Sequence, residues 1–142
     1  GYLYNWAAAT AGESRTTKPA GSGDAAYSIC PANWRLPSGG ATGEFAMLNA
    51  KMNNAAATAP STSGGTGYYQ NWQQTGPFKG AFSGSWWSES FYNRGTNGAL
   101  WSRSAYASDA DFAHYAYFNS GYVNPGYDYD RNDGYGVRCL LN

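Results

Sequence analysis

Charge is scarce in this chain. Asp, Glu, Lys and Arg together make up 13% of its 142 residues and cancel to a formal net charge of +0. No basic field exists to draw in nucleic acid and no polybasic segment to meet an anionic membrane, so neither is expected as a partner. Long apolar runs are missing too, which argues against direct membrane insertion. The chain opens GYLYNW, without the basic region and apolar core of a signal peptide, so no such segment is read in it.

Histidine occurs once, at His114, and no motif sets a nucleophile beside it. An enzyme needs convergent reactive groups, so neither catalysis nor a cofactor is expected. Cysteine occurs twice, at Cys30 and Cys139, with neither in a CxxC pair, against a zinc knuckle or thioredoxin-like site. Two buried thiols and a disulfide both remain open. The bond would close a loop of about a hundred residues, worth ~4 to 5 kcal/mol in chain-entropy models, and needs an oxidising compartment.

What is abundant is aromatic and glycine: 18% Phe, Trp and Tyr, with 19 glycines. That composition describes a loop-rich α+β domain held by aromatic packing, not a helical bundle built on period 3.6. The length suits a single domain, residues 1–142, able to bury most of its apolar surface.

Residues 1–6 set Tyr2, Tyr4 and Trp6 against Leu3 and Asn5, the alternation of a strand, with a helical turn expected near Trp6 to Thr10. After a loop, two prolines bracket a rigid run, Cys-Pro-Ala-Asn-Trp-Arg-Leu-Pro, over residues 30–37. In it, Arg35, like Arg138 near the C-terminus, is expected to pair with carboxylates or carbonyls that frame the core. A helix follows: Thr42 as N-cap, Glu44 in the first turn, and Phe45, Leu48 and Met52 as an apolar stripe ending near Asn53 or Asn54. Residues 55–67 read as a flexible loop, 68–72 and 80–84 as short strands or turns, 85–90 as a strand, and Leu100-Trp101-Ser102 as another. Trp86, Trp87, Trp101, Phe118 and Val137 are expected to form a core. Tyr115, Tyr117 and Asn119 alternate with Ala116, Phe118 and Ser120, so a strand would send Ala116 and Phe118 inward and the tyrosines outward. Residues 126–133 read as a loop, and GVRCLL at 136–141 as a last strand.

The residue types missing from the stretch 103 to 137 include Lys, Gln, Glu, Met and Trp, yet it holds seven of the thirteen tyrosines. If the first two bases of the Asn codons AAC and AAT are varied freely, Tyr, His, Asp, Ser, Gly, Ala, Arg, Val and Phe arise, and those five never do. Tyr with Ser, Gly, Asn and Asp is also the vocabulary of antibody binding loops, where Tyr gives large contact area at small rotamer cost. The bland alternative is a polar, Tyr-rich loop region.

The run at residues 30–38, together with Trp86-Trp87-Ser88, Leu100-Trp101-Ser102 and Gly136-Val137-Arg138-Cys139, resembles the bacterial "major paralogous domain" family named from Fibrobacter. More specifically, the chain looks like the variable proteins of diversity-generating retroelements, along nearly its whole length. Cys-Pro-x-x-Trp-Arg-Leu-Pro is the specific part; Ala116 departs, standing where a larger apolar residue is usual. The resemblance implies a C-type lectin-like fold, shared with formylglycine-generating enzymes, with residues 1–101 as scaffold and 102–139 as variable region. It further implies that Asn codons in a template are rewritten. The slots it implies to be diversified, and so to bind ligand, are His114, Tyr115, Tyr117, Asn119, Tyr122, Asn124, Tyr127, Asp128, Tyr129, Asp130, Asn132, Asp133 and Tyr135. Upstream, Arg103, Ser104, Tyr106, Ser108, Asp109 and Asp111 join them. Ala113, Ala116, Phe118, Ser120, Gly121, Val123, Pro125, Arg131, Gly134, Gly136, Val137, Arg138 and Cys139 would be fixed.

Residues 128–134 supply oxygens at alternate positions, as a calcium loop does. The glycine comes one place late, however, and the slot for the bidentate Glu is Cys139, so no metal is expected. The sequence is therefore read as a monomeric display protein, extracellular or on a cell surface by resemblance, whose variable face binds an unknown protein or cell-surface ligand. The alternatives are a carbohydrate-binding lectin module, since Tyr rings and Asp or Asn side chains also suit sugars, and a structural surface protein with no specific ligand.

Overall fold

The computed structural model describes residues 2–142 as an α+β fold of short antiparallel strands and few helices. In chain order the elements are α1 (Trp6–Ala9), β1 (Trp34–Arg35), α2 (Glu44–Asn53), α3 (Tyr68–Trp72), β2 (Ser85–Trp87), β3 (Ser90–Tyr92), β4 (Asn97–Ala105), β5 (Phe112–Asn119), β6 (Val123–Asp130) and β7 (Leu140–Leu141). Strands β4, β5 and β6 make the central sheet, β2 and β3 a hairpin, and β1 pairs with β7. Among the described residues no helix is long and apolar enough to cross a membrane.

Both faces of the central sheet are covered. Ala99, Trp101, Ala113 and Tyr115 face a core with Trp6, Leu36 and Tyr135. On the reverse, Leu100, Ala116, Phe118 and Val123 meet Phe45, Trp72 and Phe78. Period-2 alternation thus sorts residues between two cores where one core and solvent were expected. The buried indoles are satisfied: Trp101 Nε1 donates to the Tyr4 carbonyl at 2.7 Å, Trp6 Nε1 to that of Ser102 at 2.8 Å, and Trp72 Nε1 to Asn49 Oδ1 at 2.8 Å.

The α2 helix spans the expected residues, but its cap does not come from Thr42. The N-cap is Gly43, and the Ser38 hydroxyl, delivered by the rigid proline run, accepts from the Glu44 amide at 3.0 Å. Glu44 accepts in return from the Ser38 amide at 2.9 Å and pairs with Arg35 at 2.5 Å. Arg138 donates to the Lys79 carbonyl and lies 4.4 Å over the Phe78 ring, so both arginines frame the core as expected.

Other readings need correction. Residues 68–72 are helical, because Tyr68 and Trp72 must meet the same core one turn apart. The supposed strand at 85–90 is a tight hairpin turning at Ser88 and Glu89, both at positive φ (45° and 61°), without the Gly or Asn that usually marks such a turn. Residues 126–130 continue β6 instead of forming a loop, and Pro125 is tolerated because β6 is a sheet edge. Of GVRCLL only Leu140–Leu141 is strand. The first strand reduces to a single bridge from Tyr4 to Tyr135, followed by the expected helical turn; Gly1 lies outside the described residues.

Cys30 and Cys139 form a disulfide with Cα atoms 5.8 Å apart. It sits beside the β1–β7 pair and ties the proline run to the C-terminus.

Candidate functional site

The hairpin and the sheet enclose a hollow of about 280 Å³. One wall is Trp87 and Tyr92, whose rings lie 5.3 Å apart on the inner face of the hairpin. The other is a run of tyrosines: Tyr117 and Tyr127 at 6.2 Å, Tyr115 and Tyr127 at 5.4 Å, and Tyr115 and Tyr135 at 4.6 Å between centroids, with Tyr129 at the rim. Backbone bonds of 2.8 Å in both directions between Trp86 and Gly134 tie the hairpin to the segment that follows β6. A side chain at 134 would collide with Trp86, so glycine is required there.

The tyrosines differ in depth for a physical reason. Tyr115 pairs with Tyr127, and Tyr117 with Asn124, so β6 carries an extra residue at the bulge around Pro125 and Gly126. Tyr115, next to that bulge in the register, packs against Trp101 and Tyr135 and is only 7% exposed, whereas Tyr127 and Tyr129 are each 42% exposed. The outward orientation expected for Tyr115 is thus overturned. Its hydroxyl is pushed to a higher pKa, first by burial. Tyr135, also buried, donates its hydroxyl to Asp133 Oδ2 at 3.0 Å and is pushed up by the same cause. Asp133, 5% exposed at the floor, has its carboxyl pushed up by burial, against the opposing effect of the Tyr135 hydrogen bond.

The remaining sequence-predicted site residues do not all converge. Tyr122 packs toward Tyr117 at 6.3 Å, and Asn119 donates to the Tyr117 hydroxyl at 3.0 Å, extending the aromatic surface along β5. His114 faces the Tyr106 ring edge-on at 5.4 Å, with Nδ1 3.3 Å from the Tyr127 carbonyl, beside Asp128 in the register. Asn124 accepts from the Gly126 amide, and Asp130 caps the turn by accepting from Asn132. Ser108, Asp109 and Asp111 lie exposed in the β4–β5 connection, where Asp111 pairs with Arg15 at 2.9 Å, away from the hollow. Arg103 and Ser104 are occupied internally: Arg103 pairs with Asp24 at 3.1 Å, and the buried Ser104 donates to Asp24 Oδ1 at 2.5 Å. Ser104, Tyr115, Asp133 and Tyr135 are therefore buried where solvent-facing slots were expected.

Sequence reasoning assigned Trp86 and Trp87 to the core, and both are exposed, at 39% and 49%. The hairpin's rings line the hollow or the outer surface instead. Tyr92, Asn93 and Asn97 were missed as lining residues. The two adjacent aromatic pairs of WWSESFY, Trp86-Trp87 and Phe91-Tyr92, were the available signal. Among the described residues, no group of three or more His, Cys, Asp or Glu side chains is placed to hold a metal ion.

Compared with models of known families, with curated proteins and with solved structures, the chain finds no match.

Proposed function

We propose that this chain is a display protein whose C-terminal surface is diversified by a retroelement and recognises a protein or cell-surface ligand. In this reading the α+β fold is C-type lectin-like, with residues 102–139 as the variable region on a fixed scaffold. The observation that carries it is the match between codon vocabulary and burial. Of the thirteen slots taken as fixed, Ala113, Ala116, Phe118, Val123, Pro125, Arg131, Gly134 and Gly136 are buried, while Ser120, Gly121 and Arg138 are exposed. Interleaved with them, Tyr117, Tyr127 and Tyr129 reach solvent and line one concavity, with the exposed Tyr122 packed toward Tyr117. Such an arrangement lets the surface vary at small cost to the core, and Tyr is the residue best suited to anchor an interface. The disulfide suits an oxidising compartment, and with it a location outside the cell or on its surface.

The test is genetic and biochemical. Beside the coding DNA there should be a near-copy of the variable region with adenines at the codons of these tyrosines, next to a reverse-transcriptase gene. A near-copy lacking adenines at those codons would overturn the reading. The parent and a Tyr117→Ser, Tyr127→Ser, Tyr129→Ser triple variant should then be screened against protein and glycan arrays. Tyrosine-dependent binding on the protein array supports the display reading. Tyrosine-dependent binding confined to glycans favours the lectin module, to which ring stacking and the Asn93 and Asn97 amides also lend themselves.

A further inference from the structure

We infer that the aromatic hollow of this particular chain selects an organic cation, a substituted ammonium or guanidinium group carried by a partner's side chain, with Asp133 as its counter-ion. The inference rests on the hollow being a ligand site, and adds the chemical class of what enters it.

Three features converge. The walls are aromatic side chains, Trp87 and Tyr92 on the hairpin with Tyr117 and Tyr127 on the sheet, and the negative face of an aromatic ring attracts a cation, most strongly for Trp and where water is excluded. At the floor lies a carboxylate, Asp133, only 5% exposed, whose side chain receives one hydrogen bond, from the neutral hydroxyl of Tyr135. No Lys or Arg lines the hollow, and none of the three ion pairs among the described residues includes Asp133. A buried carboxylate without a cation is costly, so the site holds an unbalanced negative charge that an entering ammonium or guanidinium would balance. At about 280 Å³ the hollow has room for the end of a side chain and little more.

The same features exclude other ligands. An anion would meet Asp133 with no basic side chain to offset it. A neutral apolar group would fit the rings yet leave Asp133 unbalanced. Selectivity for a cation is the outcome that uses both walls and floor, and it belongs to this copy of the surface, since Tyr117, Tyr127 and Asp133 all stand in slots read as diversified.

The probes are choline and its neutral carbon isostere, in which a tert-butyl group replaces the trimethylammonium, followed by butylammonium and butylguanidinium against butanol. Binding is read from the NMR shifts of the Trp87 indole and the Tyr127 and Tyr129 rings at neutral pH. Choline should bind at least about tenfold more tightly than its isostere, with shifts at those rings. Asp133→Asn keeps the shape and still accepts from Tyr135, and it should reduce that preference to near unity. Trp87→Ala, on the exposed hairpin, should weaken choline binding while leaving the rest of the spectrum in place. Equal binding of choline and isostere at these rings would overturn the cation inference and leave the ligand-site reading standing. Cation preference that survives Asp133→Asn, shifts confined to other residues, or no shift with any probe would each overturn the inference as well. The ligand-site reading is judged separately, by the array screen.

Discussion

The ring of Phe118 lies across Gly98, its directly opposed partner in the β4–β5 register, and fills the space a side chain at 98 would need. Gly80 abuts the same ring. Phe118→Ala should therefore cost about 3 to 5 kcal/mol through the cavity it leaves, and Gly98→Ala about 1 to 3 kcal/mol through overpacking. In the double variant the methyl introduced at position 98 enters vacated space, so the combined loss should be less than the sum of the two single losses in urea titrations.

Depth, not residue type, should govern how the tyrosines tolerate change. Tyr115→Ala should destabilise by about 3 kcal/mol or more, since its ring is packed between Trp101, Tyr127 and Tyr135. Tyr129→Ala, at the exposed rim, should fall within about 0.5 kcal/mol of the parent. Thermal melting of the two variants side by side checks the assignment; equal losses would contradict it.

Two carboxyls should give opposite pH signatures. Glu44 is held below the usual carboxylate range, chiefly by its hydrogen bond with Arg35 and also by the Ser38 amide. Its stabilisation is present above the unfolded Glu pKa and is lost as pH falls through the lowered folded value. Glu44→Gln should accordingly be less stable than the parent at neutral pH, with the gap closing in acid.

Asp133 runs the other way. Burial, with a smaller contribution from Asp130, pushes its carboxyl up against the Tyr135 hydrogen bond, so the fold favours the protonated form. The stability linked to it is present at low pH and is lost as pH rises from the ordinary aspartate value, about 3.9, through the raised one. Asp133→Asn should melt above the parent at pH 7, and the advantage should vanish toward pH ~3. A gain that persisted unchanged in acid would point to packing instead of charge.

Removing the Cys30–Cys139 bond releases a loop with a sequence separation of 109. The Cys30→Ser, Cys139→Ser variant should lose roughly 4 to 5 kcal/mol if the chain-entropy account holds. Reductant should lower the parent's melting temperature toward that of the variant and leave the variant unmoved.

Much of the molecule was legible in the one-dimensional pattern because the deciding interactions are local. The α2 stripe of Phe45, Leu48 and Met52 follows from 3.6 periodicity, and the β5 phase that buries Ala116 and Phe118 follows from period 2. The Tyr-rich vocabulary of residues 103–137, and the absence from it of Lys, Gln, Glu, Met and Trp, are properties of the sequence alone. Tertiary structure decided which of those tyrosines are surface. Alternation tells which side of a strand a residue takes, and not whether that side is covered; here Trp6, Trp101 and Tyr135 cover the second face at Tyr115. It also decided that Trp87 faces a hollow and Asp133 its floor, since both depend on the Trp86–Gly134 bridge, a pairing between segments nearly fifty residues apart that no local pattern encodes.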